Sequence, residues 1–158
     1  MGRTILAAVA AAAACALVLG AGLASGGSPR GAASAVGDRA FFAVLSGAKE
    51  SDGGDPNGRG SASVTFDGNT LCWGMTVSNL DAPVAAHIHR GGAKVNGGIV
   101  VPLEIPQEGD PGASSACTTV AASLARAIRR KPGNYYVNVH TAAHQAGAIR
   151  GQLVGRRR

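Results

Sequence analysis

The residues of this chain best suited to chemistry are its 4 histidines, which fall in two short segments. His87 and His89 stand in Ala86-His87-Ile88-His89, while His140 and His144 stand in the stretch from Asn134 to Leu153. Side chains alternate along an extended strand, so His87 and His89 share one face with Cα atoms about 7 Å apart. With His140 and His144 alongside, they make an all-nitrogen ligand set suited to a single copper or zinc ion. The same residues also support a reading without metal. Tyr136, Asn138 and Arg150 flank the second histidine segment, and a His/Tyr/Asn/Arg cluster can satisfy its own polar groups as a hydrogen-bonded layer. Hydrolytic catalysis has no such footing, because no Ser or Thr sits in a nucleophile-elbow context and no Ser-His-acid order stands out. The expectation is a binding or structural module rather than an enzyme.

The elements that must position these residues read as strands. Tyr135, Val137 and Val139 alternate with Tyr136, Asn138 and His140; Thr141 to Gly147 turns the chain; Ile149 to Leu153 closes a hairpin with Ile149 and Leu153 inward and Arg150 and Gln152 outward. Phe41 to Leu45 is a short apolar run of strand length. Ala62, Val64 and Phe66, then Leu71, Trp73, Met75 and Val77, alternate around an Asp67-Gly68-Asn69 turn, the pattern of a hairpin with one buried face. Ala85 to His89 begins another strand, and Pro102 within Ile99 to Leu103 marks an edge, since proline has no amide proton for a ladder. Asp52 to Gly58 is dense in turn formers, with calcium as the alternative reading of its oxygens, and Glu104 to Ser115 reads as a polar Gly/Pro loop. One segment has helical spacing: Leu124 and Ile128, with Ala121 and Ala125 alongside, between Ala121 and Lys131. Arg129, Arg130 and Lys131 then complement the dipole at its C-terminal end; a polyanion-binding patch that includes Arg126 is the other reading. The fold class is all-β: an immunoglobulin-like or Greek-key sandwich or barrel of about seven strands, with one short helix before the last hairpin.

Composition agrees with many short strands and turns. The 158 residues hold 24 Gly against 3 Phe, 2 Tyr and 1 Trp, and no Gly-X-Y period runs through them. Residues 1–24 have the parts of a secretory signal: Arg3, an apolar run from Ile5 to Leu19, and small residues ending at Ala24. Cleavage after Ala35 and retention as a membrane anchor are the alternatives, and only the last would place the protein in a membrane. Residues 25–39 are a flexible linker, 40–154 the folded domain and 155–158 a basic tail. The expected location is secreted or attached to the cell envelope, with an extracellular protein or surface polymer as partner. In that oxidising setting Cys72 and Cys117 remain as an even pair and are expected to form a disulfide, with two free thiols as the alternative. Net charge is +6, but the tail supplies Arg156, Arg157 and Arg158. Without interleaved aromatics this charge does not make a nucleic-acid surface.

Across residues 41–153 the motifs resemble the CHRD domain, the module repeated in chordin and found singly in exported bacterial proteins. The residues that carry the resemblance are Phe42 to Glu50, Gly58 to Phe66, Ala86-His87-Ile88-His89 with Asn96 to Leu103, Pro132 to Thr141, and Gly147 to Leu153. The resemblance implies an immunoglobulin-like barrel remotely similar to copper/zinc superoxide dismutases, and His87-Ile88-His89 looks like the copper-binding strand of those enzymes. It implies no established activity. The departures weigh against dinuclear dismutase chemistry: two further histidines are lacking, and no aspartate adjoins the histidine motifs.

Overall fold

The computed structural model describes residues 40–155; the expected signal, the expected linker and the three terminal arginines lie outside the described residues. Nine strands and one helix follow one another: β1 (Phe41–Ser46), β2 (Arg59–Asp67), β3 (Thr70–Ser78), β4 (Pro83–Arg90), β5 (Ile99–Leu103), β6 (Gly112–Thr119), α1 (Ala122–Arg130), β7 (Tyr135–Thr141), β8 (Ile149–Gln152) and β9 (Val154–Gly155). They form one antiparallel sheet in the order β5-β4-β7-β8-β1-β2-β3-β6, with β9 paired to β1. The sheet curls into a nearly closed barrel. Inward residues from β1 (Leu45), β3 (Leu71), β5 (Val101) and β7 (Val137) all belong to one core cluster, which a flat sheet could not assemble. At the seam, Ser114 Oγ of β6 donates to Glu104 O just beyond β5, at 2.9 Å.

The alternations in the sequence produce this directly. Phe41, Ala43 and Leu45 face Ala62, Val64 and the remaining inward side chains, and Trp73 and Met75 complete the same face of β3. Pro83 begins β4, a position where a missing amide proton breaks no ladder bond, and Pro102 lies on edge strand β5. Helix α1 buries Ala125 and Ile128 against the core, and Arg129 caps the hairpin turn by donating to Gly68 O at 2.7 Å with its guanidinium over Phe66. Among the described residues no helix is long and apolar enough to cross a membrane.

Two strands are additional to the seven read from the sequence. The sequence reads as loop as far as Ser115, but Gly112–Thr119 pairs with β3 along its whole length. Its small residues give no apolar alternation, so its strand character comes from the partner. Cys72 and Cys117 sit directly opposite in that ladder and are joined by a disulfide, fastening the edge strand β6 to β3. The second addition, β9, adds two residues beside Phe41 and Phe42.

Candidate metal centre on the outer face of the barrel

Strands β4, β7 and β8 lie side by side, and their registers place the polar residues in one layer. His87 lies opposite Asn138, His89 opposite Tyr136, and Asn138 in turn opposite Arg150. His140 stands one step further along β7, opposite Ala85. The hairpin pairing thus brings His87, His89 and His140 together, with one ligand nitrogen from each lying within 4.8 Å of the others. His144 does not join them; it lies in the β7–β8 turn, where its amide donates to Thr141 O and Oγ1, both at 3.2 Å.

Backbone carbonyls fix the tautomers. His89 Nδ1 donates to Gly97 O at 2.8 Å and His140 Nδ1 donates to Gln145 O at 2.9 Å, so each neutral ring presents a lone pair at Nε2. The Nε2 of His140 accepts from His87 Nδ1 at 3.2 Å, whereas the Nε2 of His89 is buried without a hydrogen-bond partner among the described residues. A buried acceptor left unpaired costs about 1–3 kcal/mol. Asn138 Oδ1, in the same layer, is a second buried acceptor without a partner among the described residues. Burial, then His140 and His89, push the His87 imidazolium below the usual range. Burial lowers His89 in the same direction against the opposing hydrogen bond to Gly97, with His140 and Arg150 adding to the depression. Both rings therefore stay neutral, and able to act as ligands, at lower pH than an exposed histidine.

A stack supports the layer from behind. The rings of His89 and Tyr136 lie 4.9 Å apart at an interplanar angle of 7°, and the Arg150 guanidinium lies 3.4 Å from the Tyr136 centroid. The Tyr136 hydroxyl accepts from the Gly97 amide at 3.2 Å, so one residue braces both His89 and the loop that orients it. Arg150 alternates outward, as the strand period requires, but it is only 1% exposed rather than facing solvent. The β4–β5 loop and the segment after β1 cover it. Its Nη2 donates to Gly92 O, Val95 O and Gln152 Oε1, and its Nη1 to Ser51 Oγ and Asn96 Oδ1, at 3.1–3.4 Å.

Several contributors had no signal in the sequence. Gly97 O and Gln145 O are main-chain groups in turns, and a turn motif does not say which carbonyl meets an imidazole. Glu50 is another. It is 5% exposed with Oε1 unpartnered, and its carboxyl is packed so closely against Gly147 (φ 144°) that a Cβ there would lie 2.7 Å from it. The carboxylates of the Asp52–Gly58 turn are engaged by protein donors instead: Asp55 Oδ1 accepts the amides of Asn57 and Gly58 at 2.8 and 2.9 Å, and Asp52 Oδ2 accepts Asn96 Nδ2 at 2.7 Å.

Burial raises the Glu50 carboxyl from 4.5 to about 7, against the lowering influence of Arg150 and Lys94 and with a small push from Asp52. The folded state therefore holds this proton over a range in which the unfolded chain has released it, and stability falls as pH rises from 4.5 to 7. Glu50→Gln removes that titration. Relative to wild type, the variant should gain on the order of 3 kcal/mol between pH 4.5 and pH 8 in urea denaturation. A difference that does not vary with pH would show that the carboxyl is not held protonated.

The family model described as the CHRD domain matches residues 41–153, which include β4, β7 and β8, the strands that carry the site. No curated protein and no solved structure matches the chain. With the match running from the first residue of β1 through the closing hairpin, the chain belongs to the CHRD domain family.

Proposed function

We propose that this CHRD module is exported and holds one copper or zinc ion through His87, His89 and His140. The observation that carries the proposal is the buried, unpartnered Nε2 of His89, aimed from a ring whose other nitrogen is already bonded to Gly97 O. Metal-ligating histidines characteristically donate the N–H of their other ring nitrogen to a carbonyl in this way, and His140 has the same arrangement with Gln145 O. His87 would join by moving its proton from Nδ1 to Nε2 or by offering Nε2 directly, and either way its Nδ1–H bond to His140 Nε2 would be given up so that the lone pair of His140 is free for the ion. Three imidazoles without a carboxylate suit copper or zinc with a position left for an outside ligand. The disulfide and the family both favour an oxidising, extracellular setting.

Copper and zinc titrations monitored by equilibrium dialysis test this. Wild type should bind one equivalent. His89→Ala and His140→Ala should weaken binding by on the order of 100-fold or more, since losing even an outer-shell partner typically costs 10- to 100-fold. His144→Ala should bind within about threefold of wild type, as its side chain is not among the converging ligands. Undiminished binding by His89→Ala would overturn the assignment.

A second reading is favoured by the bond from His87 Nδ1 to His140 Nε2, which pairs those two nitrogens without metal. On that reading the layer is architectural and the protein is a non-enzymatic extracellular binding module. Absence of stoichiometric metal from the purified protein, together with no binding in either titration, would select it.

A further inference from the structure

We infer that the groove between α1 and the end of β4 is a binding site for an anionic glycan, a polymer bearing sulfate or phosphate groups. The cavity has a volume of about 540 Å³ and is lined by Arg90, Arg126, Arg130 and Lys131 with Ser123 and Asn134. Among the described residues no carboxylate lines it.

Complementing the helix dipole accounts for only part of this charge. That effect is confined to the last turn, whereas Arg126 lies in the middle of α1 and Arg90 comes from a different element. The last-turn cations themselves divide: Arg129 turns away to Gly68 O, while Arg130 remains in the groove. Arg90 is held over the Tyr135 ring at 5.9 Å, which reduces the ordering cost of presenting its guanidinium to a ligand. Like charges gathered from two elements, with no acid between them among the described residues, repel, and a polyanion relieves that repulsion while releasing its own counterions.

The lining also selects among polyanions. Ser123 and Asn134 supply neutral donors and acceptors that match sugar hydroxyls and anionic oxygens. Binding single-stranded nucleic acid would call for exposed aromatic platforms, and the one ring here, Tyr135, is 4% exposed. The groove is made from residues other than the three histidines, so this inference stands independently of the metal.

Fluorescence anisotropy with labelled dextran sulfate, phosphorylated dextran, neutral dextran and a single-stranded oligonucleotide tests it. The purified protein should bind one or both charged dextrans, which identifies the preferred anion, and should not bind neutral dextran. Arg126→Ser/Arg130→Ser should bind at least tenfold more weakly at low salt, with a dependence of log K on log salt shallower by roughly one to two. Lys49→Ser/Arg59→Ser removes the same charge from elsewhere on the surface and should stay within about twofold of wild type. Equal losses in the two double variants, binding to neither charged dextran, or tighter binding to the oligonucleotide than to either of them would overturn the assignment. Circular dichroism of both variants checks that they remain folded.

Discussion

Replacing Arg150 with Met should destabilise the protein by about 4 kcal/mol, with Arg150→Lys recovering less than half of the loss. The methionine keeps most of the stem volume, so the cost comes from what the guanidinium engages. Gly92 O, Val95 O, Gln152 Oε1, Ser51 Oγ and Asn96 Oδ1 all lie within hydrogen-bonding distance of it. Lysine retains the charge but cannot present donors in a planar fan or lie flat over Tyr136. Because Gly92, Val95 and Asn96 belong to the loop that carries Gly97, the substitution should also loosen the carbonyl that orients His89. Urea denaturation gives the first effect and amide exchange in residues 91–98 the second. A loss below about 1 kcal/mol, with the loop still protected, would mean that Arg150 is incidental to this face of the barrel.

Reducing the disulfide should cost about as much, roughly 4 kcal/mol on the chain-entropy account for a sequence separation of 45 residues. The bond joins β6 to β3, and β6 has little else to keep it in place: its side chains are small and mostly half-buried or exposed. Cys72→Ala/Cys117→Ala should therefore unfold at lower urea concentration, with early amide exchange concentrated in residues 112–119. Equal midpoints for oxidised and reduced protein would show that the β3–β6 ladder holds without the bond.

The parts of the fold that could be read from the sequence are those in which large side chains alternate. Val64 and Phe66 against Trp73 and Met75 specify a hairpin and its buried face without reference to anything distant. Strand β6 could not be read this way, because Ala, Ser and Thr have no contrast to alternate and the segment gains its strand character from β3. The site divides along the same line. His87 and His89 share a face by local periodicity alone, while the approach of His140 follows from β4–β7 pairing across roughly fifty residues of chain. Separating His140 from His144 depended on the turn conformation, which places the latter beside Thr141. Arg150 points outward as the alternation requires, yet is buried, because burial there is set by the β4–β5 loop folding over the sheet. Glu50 gave no sequence signal for the same reason: its surroundings, Gly147 and the loop bearing Lys94, come from distant segments.

The metal centre depends on three imidazoles converging while the fourth does not. Long-range proton–nitrogen NMR of the histidine rings during zinc titration reads each imidazole separately. The ring nitrogens of His87, His89 and His140 should shift together and saturate at one equivalent, with His144 unmoved and the Nδ1 protons of His89 and His140 retained. Four unchanged rings, or a response confined to His144, would contradict the metal centre.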